Sequence, residues 1–114
     1  MSDTTTIAPE LPEEFTLPIE DDSMAPSLET GGIGLYSRVW QREAGGMVLI
    51  RTRSGELVTR DYRPLDGEHF LAEPRNPGYS TFDSRTEPLT IVAVCIGCYA
   101  ARRPKRWYGK ASHR

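Results

Sequence analysis

Apolar residues in this chain come in short runs, each closed by glycine, proline or Asn/Asp turns, and no run keeps a 3.6-residue period long enough for a helix of three turns. Phe15 to Ile19, Ile33 to Ser37, Met47 to Arg53, Glu56 to Tyr62, His69 to Ala72 and Thr90 to Tyr99 read as strands. Pro18 marks the first as an edge strand, because proline has no N–H to give a neighbour. Ala25 to Leu28, with Pro26 near its start and Gly31-Gly32 behind it, fits a single helical turn. The expected fold is all-β: small twisted sheets, barrel-like, with at most that one turn of helix.

Two runs carry more detail. A two-residue loop at Ser54-Gly55 would pair Arg53 with Glu56, Thr52 with Leu57, Ile50 with Thr59 and Leu49 with Arg60. That register puts Val48, Ile50 and Leu57 on a core face, and Arg51, Val58 and Arg60 on a mixed face with Leu49. Thr90 to Tyr99 is apolar on both faces, as in a strand covered on two sides, and a second subunit would be one such cover. Its Cys95 and Cys98 form a CxxC. In a regular strand an odd separation sends the thiols to opposite faces with about 10 Å between α-carbons, so both are expected to be small core residues. No His or Cys cluster has metal-ligand spacing, and no cofactor is implied.

At 114 residues, 38% hydrophobic and 26% charged, the chain has the balance of one globular domain. It has no apolar run of membrane-spanning length and no secretory leader pattern, so a cytoplasmic location is expected and no membrane partner. The net charge of −2 hides an asymmetry: residues 1 to 22 carry seven acids and no base, residues 101 to 114 six bases and no acid. The organisation read from this is a flexible acidic arm at 1–14, a β domain at 15–104 and a basic tail at 105–114. The tail's Trp107 and Tyr108, among cations, fit contact with nucleic acid, but a solvated charge run is the commoner case. Residues 1 to 100 carry sixteen acids against eight bases, a net −8 that disfavours phosphate contact by the domain itself.

The candidate chemistry lies in Asp21-Asp22-Ser23-Met24-Ala25-Pro26-Ser27-Leu28. This run, with Gly31-Gly32 before a strand, Gly45-Gly46 before Met47 to Arg51, the Gly55-Glu56 hairpin, the Asn76-Pro77-Gly78-Tyr79 loop and a final valine-rich strand ahead of Arg102-Arg103, resembles the C-terminal peptidase domain of the LexA, UmuD and phage CI repressor family. The resemblance covers roughly Phe15 to Pro104. It implies a small, mostly β, dimer-forming domain in which a serine attacks a backbone carbonyl of its own chain and a neutral lysine takes the hydroxyl proton.

On that resemblance Ser23 falls on the nucleophile, with Asp22, Met24 and Thr59 shaping the cleft, and the lysine position, 37 residues on, falls on Arg60. Guanidinium keeps its proton near neutrality and cannot act as base. The only lysines are Lys105 and Lys110, in the tail, and no Ala-Gly or Cys-Gly bond precedes Ser23. Simpler roles are an N-cap serine at 23 and a half-exposed arginine at 60 paired with Asp61, Asp21 or Asp22. A more specific one has Arg60 donating to Ser23 or a loop aspartate and locking the cleft.

Three functions follow from the resemblance. The first is a non-catalytic dimerisation and regulatory domain of a phage- or prophage-type repressor. The second is a self-cleaving serine peptidase, and the third a UmuD-like accessory subunit that binds a polymerase or another protein. A homodimer is expected, with a repressor DNA-binding half, an antirepressor or a polymerase as possible protein partner. No helix-turn-helix pattern is present, so no specific DNA contact is expected from the β domain.

Overall fold

The computed structural model describes residues 12–99 and the backbone of 105–107. Among the described residues eight strands run as β1 (Glu14–Pro18), β2 (Ile33–Ser37), β3 (Met47–Arg51), β4 (Leu57–Pro64), β5 (Phe70–Glu73), β6 (Phe82–Asp83), β7 (Thr90–Tyr99) and β8 (Lys105–Trp107). The fold is all-β. The several small sheets expected form one antiparallel sheet ordered β1-β2-β7-β3-β4-β5-β6, with β8 also on β7. The ten-residue β7 organises it: its C-terminal half pairs β2, its N-terminal half pairs β3, and Gly97 to Tyr99 also take β8. Pro18 lies on edge strand β1, where its missing donor costs no ladder bond. Lys105 to Trp107, assigned to the tail by sequence, thus belong to the sheet, while the acidic arm through residue 11 and the rest of the tail lie outside the described residues.

Both sheet faces are apolar, and each holds a core. Met24, Leu28, Tyr36, Met47, Leu49, Ala93, Cys95 and Cys98 pack together on one face. Val48, Ile50, Phe70 and Ala72 pack on the other, joined by Val58, Tyr62, Phe82 and Val94. This is why Met47 to Ile50 is buried without alternation.

The β3–β4 hairpin differs from the sequence expectation by one residue. Its connection is the three residues Arg53 to Gly55: Gly55 N–H donates to Thr52 O at 2.9 Å and Thr52 N–H to Glu56 O at 2.9 Å. Gly55, at φ 94°, supplies the left-handed residue that a three-residue loop needs. The register is therefore Arg51 with Leu57, Ile50 with Val58, Leu49 with Thr59 and Val48 with Arg60. A slip of one residue exchanges faces. Leu57, expected in the core, is 37% exposed, and Arg60 comes to the face of Val48.

The two cysteines depart from simple alternation as well. Leu35 pairs with Gly97 but Tyr36 with Cys95, leaving Ile96 as an extra residue in β7. The bulge resets the alternation, and Cys95 and Cys98 join the same core cluster rather than opposite faces. Both are buried core residues, as expected, and burial pushes the Cys95 thiol up to about 12.

Candidate functional site

Ser23 opens the tight turn between β1 and β2. Leu28 N–H donates to Met24 O at 3.1 Å, closing a hydrogen-bonded turn without helical residues where a single turn of helix was expected. Met24 and Leu28 anchor the turn, each only 2% exposed in the core. Ser23 is not its N-cap by side chain, because Ala25 N–H goes to the Asp22 carbonyl at 3.1 Å and the Ser23 hydroxyl is used elsewhere.

That hydroxyl donates to Asp21 Oδ1 at 2.7 Å, and the same carboxylate oxygen accepts the Ser23 N–H at 3.0 Å. From the other side Arg60 Nη1 donates to Ser23 Oγ at 3.0 Å. The single proton of Ser23 is committed to a carboxylate, and a lone pair to a guanidinium. Neither neighbour is the neutral amine such chemistry uses: one is a carboxylate, the other a guanidinium that keeps its own proton.

Arg60 is 4% exposed. Its Nη1 also donates to the Thr59 carbonyl at 2.8 Å, and its Nε reaches toward Ser80 O at 3.5 Å. The guanidinium carbon lies 5.3 Å from the Phe82 ring centre and 5.9 Å from that of Tyr79, within cation–π range. Burial lowers its pKa below the ordinary arginine value, opposed in turn by Asp21, Tyr79 and Glu56. No ion pair engages it among the described residues. The pairing expected with Asp61, Asp21 or Asp22 is not made: Asp61 is held by Arg75, with Nη2 at 2.8 Å, and Asp21 is used by Ser23.

A second loop fixes the Ser23 turn from outside. The N–H groups of Arg75 and Asn76 both donate to the Ser23 carbonyl, at 3.1 and 3.0 Å. Asn76 Nδ2 donates to the Asp22 carbonyl at 3.1 Å, and the Tyr79 hydroxyl to Asp22 Oδ1 at 2.7 Å. Arg75 Nη1 reaches Ser27 Oγ at 2.5 Å. The sequence singled out Asn76 to Tyr79 as a turn but gave no sign that its donors converge on residues 22 and 23, which lie more than fifty positions away.

The cleft beside Ser23, about 110 Å³, is walled by apolar Pro18, Ile19, Met24, Leu28, Leu57 and Val58 and edged by Glu20 and Asp21. Of the residues expected to shape it, Met24 and Thr59 line it, Thr59 through a 2.7 Å hydrogen bond with the Tyr36 hydroxyl. Asp22 does not line it and serves the outer clamp. Asp21 and Tyr36 are the additions. Asp21 adjoins Asp22 in sequence, but Tyr36 carried no signal beyond an apolar strand position. No protein-family model and no curated protein matches this chain.

Proposed function

We propose that this chain is a non-catalytic dimerisation and regulatory domain of a phage- or prophage-type transcriptional repressor, built on a LexA-like serine-peptidase scaffold whose base position is filled by Arg60. The observation that carries the reading is the 3.0 Å contact of Arg60 Nη1 with Ser23 Oγ, across 37 residues of sequence. A side chain that cannot surrender its proton occupies the place from which a base would act. The lock suggested by sequence takes a definite form: Arg60 ties the serine turn, the Thr59 carbonyl of β4 and the Ser80 carbonyl together. In this reading association, not peptide-bond cleavage, is what the scaffold is kept for.

Two measurements test it. Light scattering on the purified chain should give the mass of a dimer at micromolar concentration, and a monomer throughout that range would overturn the association reading. Prolonged incubation at alkaline pH should yield no fragment that disappears on Ser23→Ala. A Ser23-dependent fragment would replace this reading with that of an active peptidase.

A further inference from the structure

Arg60 carries a charge that the fold leaves without a counter-ion in contact. It is 4% exposed, and no carboxylate lies in ion-pair range of it among the described residues. Its Nε and Nη1 are spent on Ser80, Thr59 and Ser23, whereas the two N–H groups of Nη2 have no acceptor among the described residues. Nη2 is not one of the fully buried atoms without a partner, so it touches open space. The opening that Arg60 borders is the Ser23 cleft. A buried cation with unspent donors gains from a carboxylate brought to it, because charge-assisted hydrogen bonds are the strong ones and an uncompensated buried charge is costly.

The same cleft has acids at its edge. Asp21 Oδ1 is engaged by the Ser23 hydroxyl and N–H. Glu20 is exposed and makes no ion pair among the described residues. One cation, Arg60, against the two carboxylates of Glu20 and Asp21 leaves the cleft at a net −1. A plain anion is therefore drawn to Arg60 but repelled by the rim. A guest with an ammonium beside its carboxylate leaves that sum unchanged and gives Glu20 a partner as well.

The rest of the wall is apolar, formed by Pro18, Ile19, Met24, Leu28, Leu57 and Val58. At about 110 Å³ the cleft is smaller than the roughly 150 Å³ cavity that takes up benzene. A short branched side chain fits it, and an aromatic ring does not.

We propose that this cleft binds a free aliphatic α-amino acid of the size of valine or leucine, its carboxylate on Arg60 Nη2, its ammonium on Glu20 and its side chain against Ile19, Met24 and Leu57. The proposal goes beyond the regulatory-domain reading and needs only that Arg60 keep its charge. No bond is made or broken in the guest.

The test titrates the isotopically labelled full chain with L-leucine and follows the Arg60 Nε–H and Thr59 amide signals. Three relatives of leucine serve as controls: isocaproate, which lacks the amine, isoamylamine, which lacks the carboxylate, and L-phenylalanine. Leucine should move both signals in a saturable way. Loss of the carboxylate should weaken binding roughly tenfold or more, since its partner is a buried charge. Loss of the ammonium, which meets an exposed carboxylate, should weaken it only about threefold. Phenylalanine should bind less tightly than leucine. In Glu20→Gln, leucine and isocaproate should bind alike, with the melting temperature unchanged.

The proposal is overturned if leucine leaves both signals unmoved, if isocaproate, isoamylamine or phenylalanine binds as tightly as leucine, or if Glu20→Gln weakens leucine and isocaproate equally. Ser23-dependent self-cleavage would overturn the non-catalytic reading without touching the leucine titration, and a monomeric mass would overturn the association reading alone, so each failure is read separately.

Discussion

The Tyr36 hydroxyl on β2 and the Thr59 hydroxyl on β4 lie 2.7 Å apart, joining two strands that are not neighbours in the sheet. Tyr36 is 3% exposed, so its phenol has exchanged water for this one partner. The sheet's curl brings the floor of the Ser23 cleft together here. Gly34 makes the approach possible: a Cβ at position 34 would sit 2.8 Å from both the Cε2 ring carbon and the hydroxyl oxygen of Tyr36. Gly34→Ala should displace the ring, break the Tyr36–Thr59 bond and destabilise the fold by about 1–3 kcal/mol, the usual cost of overpacking. Urea unfolding gives the number, and a variant as stable as wild type would contradict the packing described.

Arg60→Lys tests the lock directly. Lysine carries one nitrogen in place of the fork that serves Ser23, Thr59 and Ser80, so the expected loss is about 1–2 kcal/mol. A variant with unchanged stability and an unchanged Ser23 turn would argue against the lock. The substitution also supplies a group that burial drives toward its neutral form. Labelling of Ser23 by a fluorophosphonate should therefore appear in the variant, rise with pH as the amine loses its proton, and remain absent in wild type.

Alkaline unfolding should be steep. Burial raises the Tyr36 phenol and pushes the Cys95 thiol from 9.0 to about 12. Both groups hold their protons more tightly when folded, so between the unfolded and folded values the unfolded chain binds fewer protons and stability falls as pH rises. The contribution is intact below about pH 9 and is lost from there to about 12, at up to about 1.4 kcal/mol per pH unit for each group. Thermal melts at stepped pH should show this, and Cys95→Ala should start its decline at higher pH, where tyrosine alone titrates.

Ile50 is fully buried beneath Phe70 and Ala72 on one sheet face, and Leu49 is 2% exposed on the other. Ile50→Ala and Leu49→Ala should each cost about 2–5 kcal/mol. By contrast Leu57→Ala, at a position 37% exposed, should cost under about 1 kcal/mol. Equal losses at Ile50 and Leu57 would restore the hairpin register that the structure rejects.

The sequence by itself determined the all-β class, the edge position of Pro18, the turns at Gly31, Gly45 and Gly55, and the burial of both cysteines. Each follows from local chemistry: a missing donor, a positive φ, or an apolar run too short for a helix. It also brought Ser23 and Arg60 together, through a resemblance. The hairpin register, the bulge at Ile96 and the convergence of Arg75, Asn76 and Tyr79 on the Ser23 turn were decided only by the tertiary structure. The physical reason is that Ser54-Gly55 chemistry suits a two- or a three-residue loop, and only packing on both sheet faces, which buries Val48 with Ile50 and Leu49 with Met47, selects between them. Hydrogen bonds spanning fifty residues leave no local trace, because their donors are ordinary loop groups until the sheet has folded.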